Sequence, residues 1–169
     1  MLVFAGVVPH PPLLIPTIGK ENIDKLKKTI RAFDILEEDL NEADPDTIIV
    51  ISPHGELSPD NFIINTNENY VSNFHDFGDF STELKFKSDL QFINQLKSQN
   101  ETTLPIQLTY DENLDHGVAV PLYYLTRKNK NRRIVPINYC FSSYEQQVEF
   151  GEALKEACFS LEKKYAIIA

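Results

Sequence analysis

Four histidines mark the 169-residue chain, and three of them, His10, His54 and His116, sit in tight loops bounded by proline or glycine. His10 lies in Pro9-His10-Pro11-Pro12, His54 in Ser52-Pro53-His54-Gly55, and His116 in Asp115-His116-Gly117. Neutral imidazole is the commonest side-chain metal ligand and suits zinc or iron(II). A single loop histidine is ordinarily a hydrogen-bonded surface residue. Two that follow consecutive apolar runs, each beside a proline, are different, because a rigid backbone fixes the direction in which the ring leaves the chain. On the residues alone, a shared metal or catalytic site and a set of unrelated surface loops both stand. Asp115 either orients the neighbouring imidazole or opens a helix as an N-terminal carboxylate.

Other chemistries have less to draw on. The chain contains no G-x-G-x-x-G, Walker A, G-x-S-x-G or H-E-x-x-H pattern. Ser52 and Ser58 lack a nucleophile elbow. Cys140 and Cys158 are too few for a disulfide framework or a four-thiolate zinc site. Each lies in an apolar pattern, which reads as a buried reduced thiol in a cytoplasmic protein. With 16 Lys+Arg against 25 Asp+Glu and a net charge of −9, the chain is a poor nucleic-acid binder. Its one basic run, Arg127 to Arg133, reads as a solvated turn. Met1 to Val8 is apolar but too short to span a membrane, and it lacks a basic leader.

The elements that would position the histidines follow from periodicity. Leu2 to Val8 and Thr47 to Ile51 are continuous apolar runs, expected as buried strands. Between them Ile23, Leu26, Ile30, Phe33, Leu36, Leu40 and Ala43 recur at helical spacing, up to the breaker Asp44-Pro45-Asp46. Further strands are expected at Phe62 to Asn65, Ile106 to Thr109, Arg133 to Asn138 and Tyr165 to Ala169. Asn67 to Phe80 reads as loop. A short helix carries Leu90, Ile93 and Leu96, and another spans Val118 to Leu125, with Pro121 tolerated in its first turn. Ser143 caps a last helix from Tyr144 to Lys164, with Val148, Leu154, Cys158 and Leu161 inward. Alternating strands and helices predict an α/β domain over residues 1–169, with a mostly parallel central sheet and helices on both faces. Sites in such folds collect at the carboxyl ends of strands, where His10 and His54 fall.

These residues also resemble a family. Val7-Val8-Pro9-His10-Pro11-Pro12-Leu13-Leu14, Ile49-Val50-Ile51-Ser52-Pro53-His54-Gly55 and Asp115-His116-Gly117 through Pro121-Leu122 are similar to motifs of the class III extradiol ring-cleavage dioxygenases of LigB type. His75-Asp76-Phe77-Gly78-Asp79-Phe80 resembles a further stretch of that superfamily. The PHPPLL opening is nearest the Memo and AmmeMemoRadiSam branch. The resemblance implies a non-haem Fe(II) enzyme that opens catecholic rings with O2, Zn(II) being a second option for the metal. It implies His10 and His54 as metal ligands and His116 as a catalytic histidine outside the metal's coordination, with His75 and Asp115 near the substrate. The alternative it implies is a Memo-like metal- or peptide-binding protein without dioxygenase turnover. The expected partners are a small catechol and O2, with neither nucleic acid nor membrane, and a homo-oligomer is compatible. In the family, a strand like Tyr165 to Ala169 runs on into a motif resembling S-G-D-L-S-H, with the base histidine, and later a glutamate ligand. The chain is therefore expected to be C-terminally incomplete, with Ile167 and Ile168 exposed and prone to self-association. Glu56, Asp76, Asp111 and Asp115 are stand-in carboxylates by loop position only.

Overall fold

A computed structural model describes residues 1–169. The chain runs β1 (Leu2–Gly6), α1 (Pro16–Gly19), α2 (Ile23–Ala43), β2 (Thr47–Ser52), β3 (Phe62–Asn65), β4 (Asn69–Phe74), β5 (Asp79–Lys87), α3 (Leu90–Gln99), β6 (Ile106–Thr109), α4 (His116–Leu125), β7 (Arg133–Asn138), α5 (Tyr144–Ser160) and β8 (Tyr165–Ile168). Six strands form one sheet in the order β1-β8-β2-β7-β3-β6. Every neighbouring pair is parallel except β3 with β7. The link from β2 to β3 contains no helix, and a parallel return needs a crossover of about a dozen residues or more. β3 therefore comes back in the opposite direction, and β6 follows it.

Strand periodicity divides the core in two. Ile48, Val50, Ala166 and Ile168 face one side, where Phe33 and Leu40 of α2 and Val118 and Leu122 of α4 cover them. Ile49, Ile51, Tyr165 and Ile167 face the other, against Phe92 and Leu96 of α3 and Phe150 and Leu154 of α5. Successive strand residues point to opposite faces, so a strand apolar at every position needs helices on both sides. The expected α/β layering is what the chain adopts. No helix is long and apolar enough to cross a membrane.

Five sequence expectations need correction. Leu2 to Val8 is not a buried strand: β1 ends at Gly6 and lies at the sheet edge, half-buried or exposed along its length, and Val7 is exposed, because β8 is the only strand beside it. Residues 67–80 are largely not loop: β4 and β5 form an antiparallel hairpin that buries Tyr70, Phe74 and Phe86 in the core shared with α4. Apart from Phe80, its exposed strand positions are polar, which hid the alternation. The last helix stops at Ser160, and Val148 is exposed. The inward stripe is Phe150, Ala153, Leu154, Ala157 and Cys158, a set of three- and four-residue steps that leaves Val148 outside. The basic run is not simply solvated. Arg132 is buried, donating from Nε to the Pro45 carbonyl (3.1 Å) and from Nη2 to Asn41 Oδ1 (2.9 Å). Finally, β8 lies inside the sheet between β1 and β2, so Ile168 is buried and Ile167 half-buried.

Candidate functional site

His10 follows β1 and His54 follows β2, at the same edge of the parallel part of the sheet. The two strands are not adjacent, since β8 separates them, yet the loops converge. His10 Nε2 and His54 Nε2 are 3.1 Å apart, with the rings at 80°. His116 is the first residue of α4, and its ring lies 4.0 Å from that of His54, tilted by 33°, and 6.1 Å from that of His10. The edge of Phe77, on the turn between β4 and β5, meets His116 at 5.3 Å between centroids.

The supports of this cluster are specific. Asp115 is the N-cap of α4: Oδ1 accepts from the Gly117 N–H (2.7 Å) and the Val118 N–H (3.3 Å). The same oxygen accepts from the buried Ser52 hydroxyl (2.6 Å), which in turn accepts from the His54 N–H (3.1 Å). The helix-opening reading of Asp115 is thus the one observed, and Ser52 gives its proton to a carboxylate rather than to an imidazole. Asn138 Nδ2 donates to the His54 carbonyl, holding the loop from the other side. Gly117 is required for this approach, because a Cβ there would collide with Ser52 Oγ and lie 3.1 Å from His54 Cδ2. Gly55 takes φ +80°, a turn conformation that favours glycine.

Burial pushes the His10 and His116 imidazoles below their ordinary pKa. The neighbouring His54 ring adds to this, and the Asp115 carboxylate opposes it. Both rings are thereby biased toward the neutral form, which carries the free lone pair a metal needs. Two nitrogens each ~2.0–2.1 Å from one ion stand about 3 Å apart when adjacent in its coordination sphere. The His10–His54 spacing therefore suits either a shared ion or an N–H···N bond. No set of three His, Cys, Asp or Glu side chains comes together in a metal-holding arrangement. Glu56, Asp76, Asp111 and Asp115 instead line an adjoining polar cleft of about 270 Å³, with Asn138 in its wall. His75 is exposed and stacks on Phe80 (5.3 Å), apart from the other three histidines' mutual contacts. Ser52, Gly117 and Phe77 stand in the motifs beside the histidines without a supporting role read from them, and Asn138, at the end of a separate strand, was missed altogether.

Both cysteines are free and buried, and burial pushes the Cys158 thiol up to about 11, so Cys158 is not a poised nucleophile.

The comparisons with known proteins agree with this architecture. Residues 5–169 match the family described as the catalytic LigB subunit of aromatic ring-opening dioxygenase. Protein CA_C1420 of Clostridium acetobutylicum is 28% identical over 173 residues, covering 96% of this chain and 37% of that protein. The crystal structure of an uncharacterized protein, JW3007 of Escherichia coli K12, superposes with a TM-score of 0.57 at 17% identity, covering 83% of this chain and 51% of that one. The chain thus spans about a third to a half of the length of these relatives. With the family matched along nearly its whole length, the chain belongs to the LigB family of aromatic ring-opening dioxygenase catalytic subunits.

Proposed function

We propose that these residues form the histidine half of a non-haem iron(II) site in an extradiol dioxygenase-like protein that opens catecholic rings with O2. The observation that carries this reading is the 3.1 Å approach of His10 Nε2 to His54 Nε2 from loops on separate strands. His10 and His54 would hold the metal through neutral nitrogens. The chemistry an iron(II) ion supplies in such a site is activation of O2 beside a chelated ring. His116 is the first residue of α4, with its ring against that of His54, and its imidazole can take or return the proton of a catechol hydroxyl. Asp115 and Ser52 would act through position, since their hydrogen bonds fix the starts of the His54 loop and α4 relative to each other. Phe77 would close one side of the cleft against water.

The test is metal analysis of anaerobically purified protein, followed by aerobic assay against a panel of catechols for the yellow ring-opened product. Iron content should fall to background in His54→Ala. In His116→Ala, made in a complete enzyme, it should stay near that of the parent, while turnover drops by about 10²–10⁴. Metal bound normally with no ring opening in that complete enzyme would support the Memo-like alternative. Retention of the metal in His54→Ala would remove the site altogether.

A further inference from the structure

Away from the histidines, a cleft of about 760 Å³ opens between the β4–β5 hairpin and the turn that enters β7. Five cations line it, Lys85, Lys87, Lys130, Arg132 and Arg133, facing a single carboxylate, Glu112. The whole chain has only 16 Lys+Arg and a net charge of −9, so this is a local inversion of its overall sign. Lys85 and Lys87 project from the same face of β5 because strand periodicity is two, and the other three come from the turn into β7 and its first residue. The intramolecular partners do little to neutralise the group. Lys85 pairs with Glu83 (2.9 Å), but Arg133 spends its hydrogen bond on the neutral Ser88 carbonyl (2.7 Å). Lys87 and Lys130 enter none of the ion pairs. Arg132 is buried with Nη1 lacking any acceptor, and its nearest acid, Asp44, is exposed and 4.0 Å away.

Gathering like charges in a walled cleft raises the potential there, and a bound anion relieves it. The volume is that of a small-molecule site, on the order of 300–1,000 Å³. An extended polyanion would have to lie along the acidic remainder of the surface, which disfavours it. We propose that this cleft binds a small, multiply charged oxyanion, held by Lys87 and Lys130 at its mouth and by Arg133 at its wall, with the buried Arg132 adding positive charge behind them. Organic phosphates and polycarboxylates share that chemistry.

Calorimetric titration of the 169-residue protein with pyrophosphate and, separately, citrate at low ionic strength tests this. One-to-one binding of at least one of them is expected; binding of pyrophosphate alone assigns a phosphate ligand, and of citrate alone a polycarboxylate. The double variant Lys87→Ala/Lys130→Ala should weaken it by about tenfold or more, as loss of charged hydrogen-bonding groups does. Both lysines are exposed, so the variant should keep the parent's circular dichroism, and Lys87→Gln/Lys130→Gln serves as a second version. His54→Ala should bind the anion unchanged, which separates this proposal from the metal site. Absence of binding by the parent, binding unaltered in both lysine variants, or its loss in His54→Ala would overturn the proposal. An RNA oligomer that binds more tightly than pyrophosphate would do the same.

Discussion

The histidine rim and the β4–β5 hairpin touch at Phe77 and His116, yet they are held by different kinds of contact. The rim rests on prolines, on Gly55 and Gly117, and on both local hydrogen bonds, such as His54 N–H to Ser52 Oγ, and long-range ones, such as Ser52 Oγ to Asp115 Oδ1. The hairpin rests on partners far away in sequence. Val71 N–H donates to the Glu112 carbonyl (2.7 Å), Leu114 N–H donates to the Val71 carbonyl (2.9 Å), and Thr17 Oγ1 donates to Asp79 Oδ2 (2.6 Å). Those first two bonds stitch β4 to the segment that delivers Asp115 and His116. The rim, whose motifs are local, thus depends on the hairpin to bring in its third histidine. The difference teaches that chemistry-bearing residues can be written into short motifs while their relative placement is carried elsewhere.

The largest effect should come from the anchor of the basic turn beside the hairpin. Arg127 donates to Glu37 Oε2 through both Nε (3.1 Å) and Nη2 (2.7 Å), and the Glu37 side chain is only 3% exposed. Arg127→Ala leaves a buried carboxylate without its cation and should cost about 3 kcal/mol, the low end for such a loss because the arginine is partly exposed. Urea unfolding measures it, and Arg127→Lys should recover only part, lacking the forked geometry. A change within experimental error would mean the turn is held by packing alone.

Next in size is a test confined to the rim. Gly117→Ala forces a Cβ into Ser52 Oγ and against His54, and should destabilise by about 1–3 kcal/mol, as overpacking does. Metal content should fall with it, while pyrophosphate binding in the distant cleft should not. Parent-like stability and metal content would show that the rim yields easily and that its geometry is not locally enforced.

The smallest effect concerns the Thr17–Asp79 link between the two regions. Burial alone would raise the Asp79 carboxyl, but hydrogen bonds from Thr17, Thr82 and Ser81 outweigh it and hold the group well below the usual carboxylate range. A depressed native pKa stabilises the fold above the unfolded value of about 3.9, and that contribution is lost as pH falls below it. Asp79→Asn should therefore cost about 1 kcal/mol at neutral pH, and the gap to the parent should narrow below about pH 4. A gap that stays constant down to pH 2 would show that Asp79 does not hold the hairpin through its charge.

How much was legible before the structure depends on the range of the signal. Runs such as Thr47 to Ile51 and the stripe from Ile23 to Ala43 announce themselves, because burial on both faces or on one side imposes a pattern within a few residues. Ser143 as a cap was equally readable, and its hydroxyl accepts from the Gln146 N–H. The hairpin was not readable, because its outer face is polar apart from Phe80 and its inner residues are spaced among asparagines and serines. Phe150 displaced Val148 from the inward face for a similar reason: the helix's rotation is chosen by what it packs against, not by its own sequence alone.

By itself the sequence determined that the chain is α/β, that His10 and His54 follow the carboxyl ends of two strands, and that a proline stands beside each. These follow from residue type, periodicity and the fixed φ of proline, all of them local. Tertiary structure alone decided that β8 enters between β1 and β2, that β3 runs backward, and that His116 comes to rest 4.0 Å from His54. It alone decided that five cations on a hairpin and a turn, 43 or more positions apart, share one cleft. Such pairings depend on how distant surfaces satisfy one another's apolar area and hydrogen bonds, and no short stretch of chain contains that information.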